Sequence, residues 1–228
     1  MARKTGATLK RALSARAPSW AAVGVDTSLT AISAVATAYD ALTGSRRGPF
    51  WAEVRWLPED DYFIRLGQAS KTAGLIYDVL KEAWVRDYDN IYIAIEEPWY
   101  FGAAKHGQSG WLKQQAEVAG AFKAGLVNNG YLNIYEINNS QWRKVLRQEG
   151  VTIRRGAEGK WDVKEWAINA YGLPDFPDLV KSKSGAKIPR PESGYGAKAK
   201  PVQPSDIYDA AACAAWMQDH VERLREEG

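Results

Sequence analysis

The sequence is poor in soft metal ligands: 228 residues hold one cysteine, two histidines and two methionines. The lone thiol, Cys213, excludes an intramolecular disulfide and fits a reducing compartment. One cysteine and two histidines are too few for a structural zinc site. No apolar run is long enough to cross a bilayer, and no secretory signal opens the chain. No segment repeats. What is there is an ordinary globular composition, 46% hydrophobic and 25% charged, with ten Trp for a core. The length suits one large domain or two small ones.

The net charge of +3 is small but unevenly spread. The opening MARKTGATLKRALSARAPSW has five basic residues and no acid, and KSKSGAKIPRPESGYGAKAK (181–200) has six basic residues and one acid. Each would suit a polyanion, and each equally reads as a solubilising segment. Residues 1–19 are expected to be a mobile basic arm. Their Arg-rich, acid-free character also matches an organelle transit peptide. The expected location is therefore the cytoplasm of a prokaryotic or phage-infected cell, with the mitochondrion as the alternative. No membrane partner is expected.

Residues 20–228 read as one α/β domain. Strands are expected at 20–27, 30–39, 49–57, 90–98 and 131–137. Helices are expected at 60–88, 108–129, 140–149 (capped by Ser140), 161–171 and 205–227. Residues 174–204 contain six of the ten prolines and read as a loop. Three strands, helix, strand, helix, strand, then helices make a layered domain built on a five-stranded mixed sheet flanked by helices.

Carboxylates stand where apolar residues are expected. Asp26 ends the first strand in AAVGVDT, and Glu96 ends the fourth in IAIEE. Alternate strand residues share a face, so Asp26 keeps company with Gly24 and Ala22, and Glu96 with Ala94 and Tyr92. Glu97 faces the other way, and Glu96 is the preferred member of the pair. Asp206 and Asp209 are three apart and head the apolar side of the last helix, which continues through Ala210, Cys213 and Met217. Alone, Asp206 could stabilise its helix's first turn, Glu96 could mark a strand's exit into solvent, and Asp26 could begin a turn. Together they point to a shared site. Buried like charges are costly unless a cation neutralises them. All-oxygen ligands suit Mg²⁺, with Mn²⁺ as the alternative. Two such ions about 4 Å apart would serve a phosphodiester displacement.

VGVDTSLT, AIEEPWYFG and PSDIYDAAACAAW resemble, in order and rough spacing, the acidic motifs of RuvC-type Holliday junction resolvases. The resemblance covers about residues 20–222. It implies an RNase H-like fold, a homodimer, and metal-dependent cutting of four-way DNA junctions by paired symmetric nicks, with two ions per active site. It implies that Asp26, Glu96, Asp206 and Asp209 hold metal. Lys160, in GKWDVKEWAINAYGLP, falls where the family has a basic residue near the scissile phosphate, and completes the catalytic set. Trp99 falls where the family uses an aromatic residue near the junction centre. Arg143 or Lys144, in WRKVL, matches an earlier basic position, and Lys164 lies in the later DNA-contacting region. GQSGWLKQQAEVAGAFKAGLVNNG occupies the place of the subunit-pairing helix. The basic arm, the Pro- and Lys-rich segment and the Trp-rich stretch 40–60 depart from the family; a divergent member, encoded by a phage, is the expectation.

PWYFGAAKHGQSGW also carries a physical argument of its own. Trp99 and Tyr100 beside Lys105 would stack unpaired bases and hold phosphate. The same aromatic residues, with Phe101, would equally form a hydrophobic lip over the core. Three rival functions remain in view. Another RNase H-like nuclease, acting on flaps, forks or RNA–DNA hybrids, would use the same acids. GVDTSLT also resembles the phosphate loop of actin-like sugar kinases, which need a second glycine-rich loop that is not found. A non-cleaving junction-binding protein would have no reason to gather acids beside phosphate.

Overall fold

The computed structural model describes residues 19–29, 31–40, 43–56, 62–83, 88–97, 109–181, 187–194 and 197–227. Five strands form one sheet: β1 (Trp20–Thr27), β2 (Ala31–Tyr39), β3 (Arg46–Arg55), β4 (Ile91–Glu96) and β5 (Asn133–Ile137). Their spatial order is β3-β2-β1-β4-β5. β1 pairs antiparallel with β2, and β2 with β3, whereas β1–β4 and β4–β5 are parallel. β1 and β2 are buried along almost their whole length, as their largely apolar sequences require.

Each sheet face carries its own core. On one face, Val23, Val25, Ile32, Ile93 and Ile95 pack with Phe122 and Leu126 of α3 (Ser109–Asn128). α1 (Tyr62–Lys71) lies along α3, and α2 (Gly74–Ala83) covers β2 and β3. The other face, with Ala22, Val35 and Ala94, receives α6 (Ile207–Glu227) and, beside it, α4 (Asn139–Gln148) and α5 (Glu158–Trp166).

Gly24 sets how close α6 comes. A methyl group there would lie 2.1 Å from the Ala210 carbonyl oxygen and 2.1 Å from the Ala214 amide nitrogen. The helix backbone therefore rests directly on the strand backbone. Ala210, Ala211 and Ala214, fully buried, supply the thin helix face that this approach needs.

Several expected boundaries move. The single helix expected at 60–88 is two, because Thr72 folds its hydroxyl back onto the Gln68 carbonyl (2.7 Å) and the chain turns before Gly74. α1 and α2 thereby pack on different partners. The cap of α4 is Asn138 rather than Ser140: its side chain accepts from the Ser140 amide while Gln141 bonds back to the Asn138 amide. α5 begins at Glu158 and widens into a π turn (Ala167–Tyr171) that Gly172 ends in the left-handed region, at φ 89°. The stretch 174–204, expected to be a loop, holds a small antiparallel pair, β6 (Leu179–Lys181) and β7 (Lys187–Pro189). Leu179 and Val180 are fully buried, so this pair is anchored despite its prolines. The arm at residues 1–18 lies outside the described residues. Among the described residues no helix is long and apolar enough to cross a membrane.

Candidate active site

The sheet register brings the acids to one level. Val25 sits opposite Ile95, so Asp26 and Glu96 end neighbouring parallel strands on the same face. Across the antiparallel side, Asp26 pairs with Ser33, and Ser33 pairs with Glu53. α6, pressed onto Gly24, delivers Asp209 in its first turn and Asp206 just ahead of it. The Asp206 carbonyl accepts from the Ala210 amide (3.1 Å), but its carboxylate is held by other side chains.

Carboxylate oxygens of Asp26, Asp206 and Asp209 lie within 4.8 Å of one another. Asp206 and Asp209 are buried, and Asp26 is partly so. Glu96 does not join this tight group but faces it, and Glu97 is exposed. Burial is the first cause that pushes Asp26 well above the carboxylate range, with Asp206, Glu96 and Asp209 adding to it. Glu96 is pushed up to about 7, by burial and then by Asp209. The Trp142 indole N–H works against that rise, yet it forms no hydrogen bond of normal geometry, so its influence is weak. Asp206 is raised as well, by burial first, against Lys160.

The site has its own cations. Lys160 on α5 places its ammonium 2.6 Å from Asp209 Oδ2, and this pairing raises its pKa in spite of burial. Arg143, on α4, stacks near the Trp142 ring and lies close enough to lower the Glu96 pKa. Lys144, its neighbour, is exposed on the outside of the helix. Lys164 is tied to Asp175 and Asp178 at 2.8 Å each, so its charge is compensated within the fold. Trp99, Tyr100 and Lys105 lie outside the described residues.

Five nearby residues escaped the sequence reading. Arg55 lies 3.8 Å from Asp206 Oδ2 and binds both oxygens of Glu53, which also accepts from the Ser33 hydroxyl at 2.7 Å. Gln203 donates to Asp206 Oδ1 at 2.9 Å and accepts from the Lys187 ammonium. The available signal was a polar residue, Ser33, inside a largely apolar strand. The partner of Ser33 could not be named without the β2–β3 register.

Two buried carboxylates and one partly buried, crowded within 4.8 Å of one another, have Lys160 as their main counter-charge. Oxygens about 2.0–2.6 Å from a hard divalent ion stand up to about 4–5 Å apart, the spacing of this group. The residues therefore fit a hard divalent cation, held by Asp26, Asp206 and Asp209 with Glu96 alongside.

Two solved structures of Thermus thermophilus RuvC align along nearly the whole length, covering 90% of this chain and 96% of theirs at 15% identity. The TM-scores are 0.55 for one and 0.52 for the other, which is in complex with a Holliday junction substrate. The fold is that of RuvC. It is the RNase H-like fold, with the five-stranded mixed sheet in the order described above. The yeast mitochondrial Holliday junction resolvase Ydc2 aligns at 13% identity over 97% of this chain and 90% of its own, but its TM-score of 0.42 is too low to add to the argument. No protein-family model matches the sequence, and no curated protein matches it.

Proposed function

We propose that this protein is a metal-dependent endonuclease that resolves four-way DNA junctions. One observation carries the reading: three carboxylates from opposite ends of the chain converge on one point of a RuvC fold, with Lys160 beside them and Arg143 near Glu96. Acids alone would repel a phosphate backbone. Acids able to hold cations, ringed by basic side chains, would attract it and act on it.

Asp26, Asp206 and Asp209, with Glu96, are proposed to hold two Mg²⁺ ions. When bound, such ions would stabilise the attacking and leaving oxygens of an in-line phosphodiester displacement. Lys160 would neutralise phosphate charge once its hold on Asp209 is shared with metal. Arg143 would contact the backbone on the Glu96 side. The RuvC of the aligned complex has a Holliday junction as its substrate, which supports the choice of branched DNA here. One acid cluster per chain makes one cut, so two symmetric cuts require two copies, most simply a two-fold homodimer.

The test is direct. Labelled four-way junction, flap, fork, RNA–DNA hybrid and linear duplex are incubated with the protein in Mg²⁺, Mn²⁺ or EDTA, and the cuts are mapped. Paired, symmetry-related nicks in the junction alone, lost in EDTA, are expected. Preferential cutting of a flap, fork or hybrid would move the protein to another nuclease class. Tight junction binding with no cut in either metal would make it a binding protein.

A further inference from the structure

β6 and β7 bring basic charge from the proline-rich segment to the rim of the acid cluster. Lys187 opens β7, and its ammonium donates to Gln203 Oε1, whose amide group donates to Asp206 Oδ1. Burial and then Lys160 lower its pKa, and the Asp206, Asp26 and Asp209 carboxylates work against that fall. Two hydrogen bonds thus separate Lys187 from a carboxylate of the proposed metal site.

The partner of Lys187 is a neutral amide. Lys160 has Asp209, Lys164 has Asp175 and Asp178, and Arg55 has Glu53. Among the described residues Lys187 has no carboxylate within ion-pair distance. An ammonium–amide bond at a wet rim is worth about 1 kcal/mol net, little enough to be exchanged for a charged acceptor.

A second observation concerns Lys181. It stands directly opposite Lys187 in the antiparallel pair, so both side chains leave on the same face. Like charges directly opposite destabilise a strand pair. The pair is nevertheless held in place: Leu179 is buried, its amide donates to the Gln203 carbonyl (2.8 Å), its carbonyl accepts from the Val202 amide (2.8 Å), and Arg190 N–H bonds the Asp178 carbonyl (2.8 Å). A fixed pair of facing lysines beside a metal-type acid cluster has the form of a phosphate grip.

We propose that the β6–β7 pair is a backbone clamp, in which Lys187, seconded by Lys181, binds a phosphodiester next to the scissile one on the Asp206 side of the site. Lys187 exchanges Gln203 for a phosphate oxygen as DNA arrives. With Arg143 on the Glu96 side, the strand is gripped at both ends of the acid cluster. This inference rests on the nuclease reading above and adds the residues that seat its substrate.

The test uses the full chain with Lys187→Ala, Lys187→Gln, Lys187→Arg and the double variant Lys181→Ala/Lys187→Ala. Junction affinity is measured in EDTA across a salt series. Loss of one phosphate contact lowers the slope of log affinity against log salt by about 0.9. The wild-type advantage over Lys187→Ala should therefore shrink about three- to fourfold between about 50 and about 200 mM salt. Lys187→Gln should match Lys187→Ala, Lys187→Arg should restore the slope, and the double variant should lose about twice as much. A purely structural role through Gln203 and Asp206 would not move a slope measured without metal. Wild-type slopes in Lys187→Ala and Lys187→Gln, with cutting by wild type intact, would overturn the clamp alone. Wild type that binds DNA and cuts none would overturn the nuclease reading, while the slopes would still decide the clamp.

Discussion

The ammonium of Lys160 stands 2.6 Å from Asp209 Oδ2 and also acts on Asp26 and Asp206. Without metal it is the main internal counter-charge of the cluster. Removing it leaves buried carboxylates less compensated, at a cost between the limits for exposed and buried pairs, roughly 1–2 kcal/mol. Lys160→Met should melt a few degrees below wild type in EDTA, and Mg²⁺ should close most of that gap. Scanning calorimetry in both conditions checks this; equal melting temperatures in EDTA would remove Lys160 from the charge balance.

Asp26→Asn removes a ligand and little volume. Junction cutting should fall by several orders of magnitude while binding holds or tightens, since repulsion of phosphate is reduced. The same substitution relieves crowded negative charge, so the metal-free variant should be at least as stable as wild type. Asp209→Asn should lose cutting alike, but it also orphans Lys160 and should gain no stability. Full cutting by either variant would remove its carboxylate from the proposed site.

The pH response of the metal-free protein has a definite sign. Glu96 rises from its ordinary value of 4.5 to about 7 in the fold. Between those values the folded protein keeps a proton that the unfolded chain has lost. Stability therefore falls as pH rises through that window and levels off above it. Asp26, also raised, acts in the same direction. In EDTA the melting temperature should be higher near pH 5 than near pH 8. Mg²⁺ should raise it more near pH 8, where its ligands are already deprotonated. A melting temperature that climbs from pH 5 to pH 8 in EDTA would contradict the raised carboxylates.

Gly24→Ala tests the positioning of the site without touching a functional group. Its methyl group would meet backbone atoms of α6 at 2.1 Å, which no side-chain rotation relieves. Destabilisation of about 3 kcal/mol or more is expected, together with loss of cutting as Asp206 and Asp209 move away from Asp26. Urea unfolding with a metal titration of the folded fraction separates the two effects. A wild-type unfolding midpoint would mean that α6 does not rest on β1 so closely.

Dimerisation is the last expectation. The segment expected to pair two subunits forms α3. The structure buries Ala119 and leaves Gly120, Ala124 and Val127 facing outward, with Val127 54% exposed. Ala124→Glu or Val127→Glu should then yield folded monomers that have lost paired cutting. Light scattering at micromolar concentration reads the mass; a wild-type mass near the 25.3 kDa of one chain, with paired cutting intact, would sink α3 as a standing interface.

Asp26, Glu96, Asp206 and Asp209 were legible because each is a carboxylate placed in an apolar pattern, a conflict that local sequence shows. Lys160 was legible only through resemblance, since its own helix gives it no reason to turn inward. Arg55, Gln203 and Lys187 reach the site through the β2–β3 register and through a strand pair inside a proline-rich stretch. Both are tertiary facts that no window of the sequence contains. The break at Thr72 was hidden for a related reason. The periodicity runs on across it, while the packing partner changes from α3 to the sheet at that turn.

The contact between Gly24 and α6 joins parts of the chain that are made far apart in time. Asp26 leaves the ribosome 180 positions before Asp206. Until α6 docks, the nascent chain holds one member of the three-carboxylate group and cannot concentrate cations there. Such long-range closure slows folding. On the proposed reading, the metal site would be assembled only after nearly the whole chain has been made.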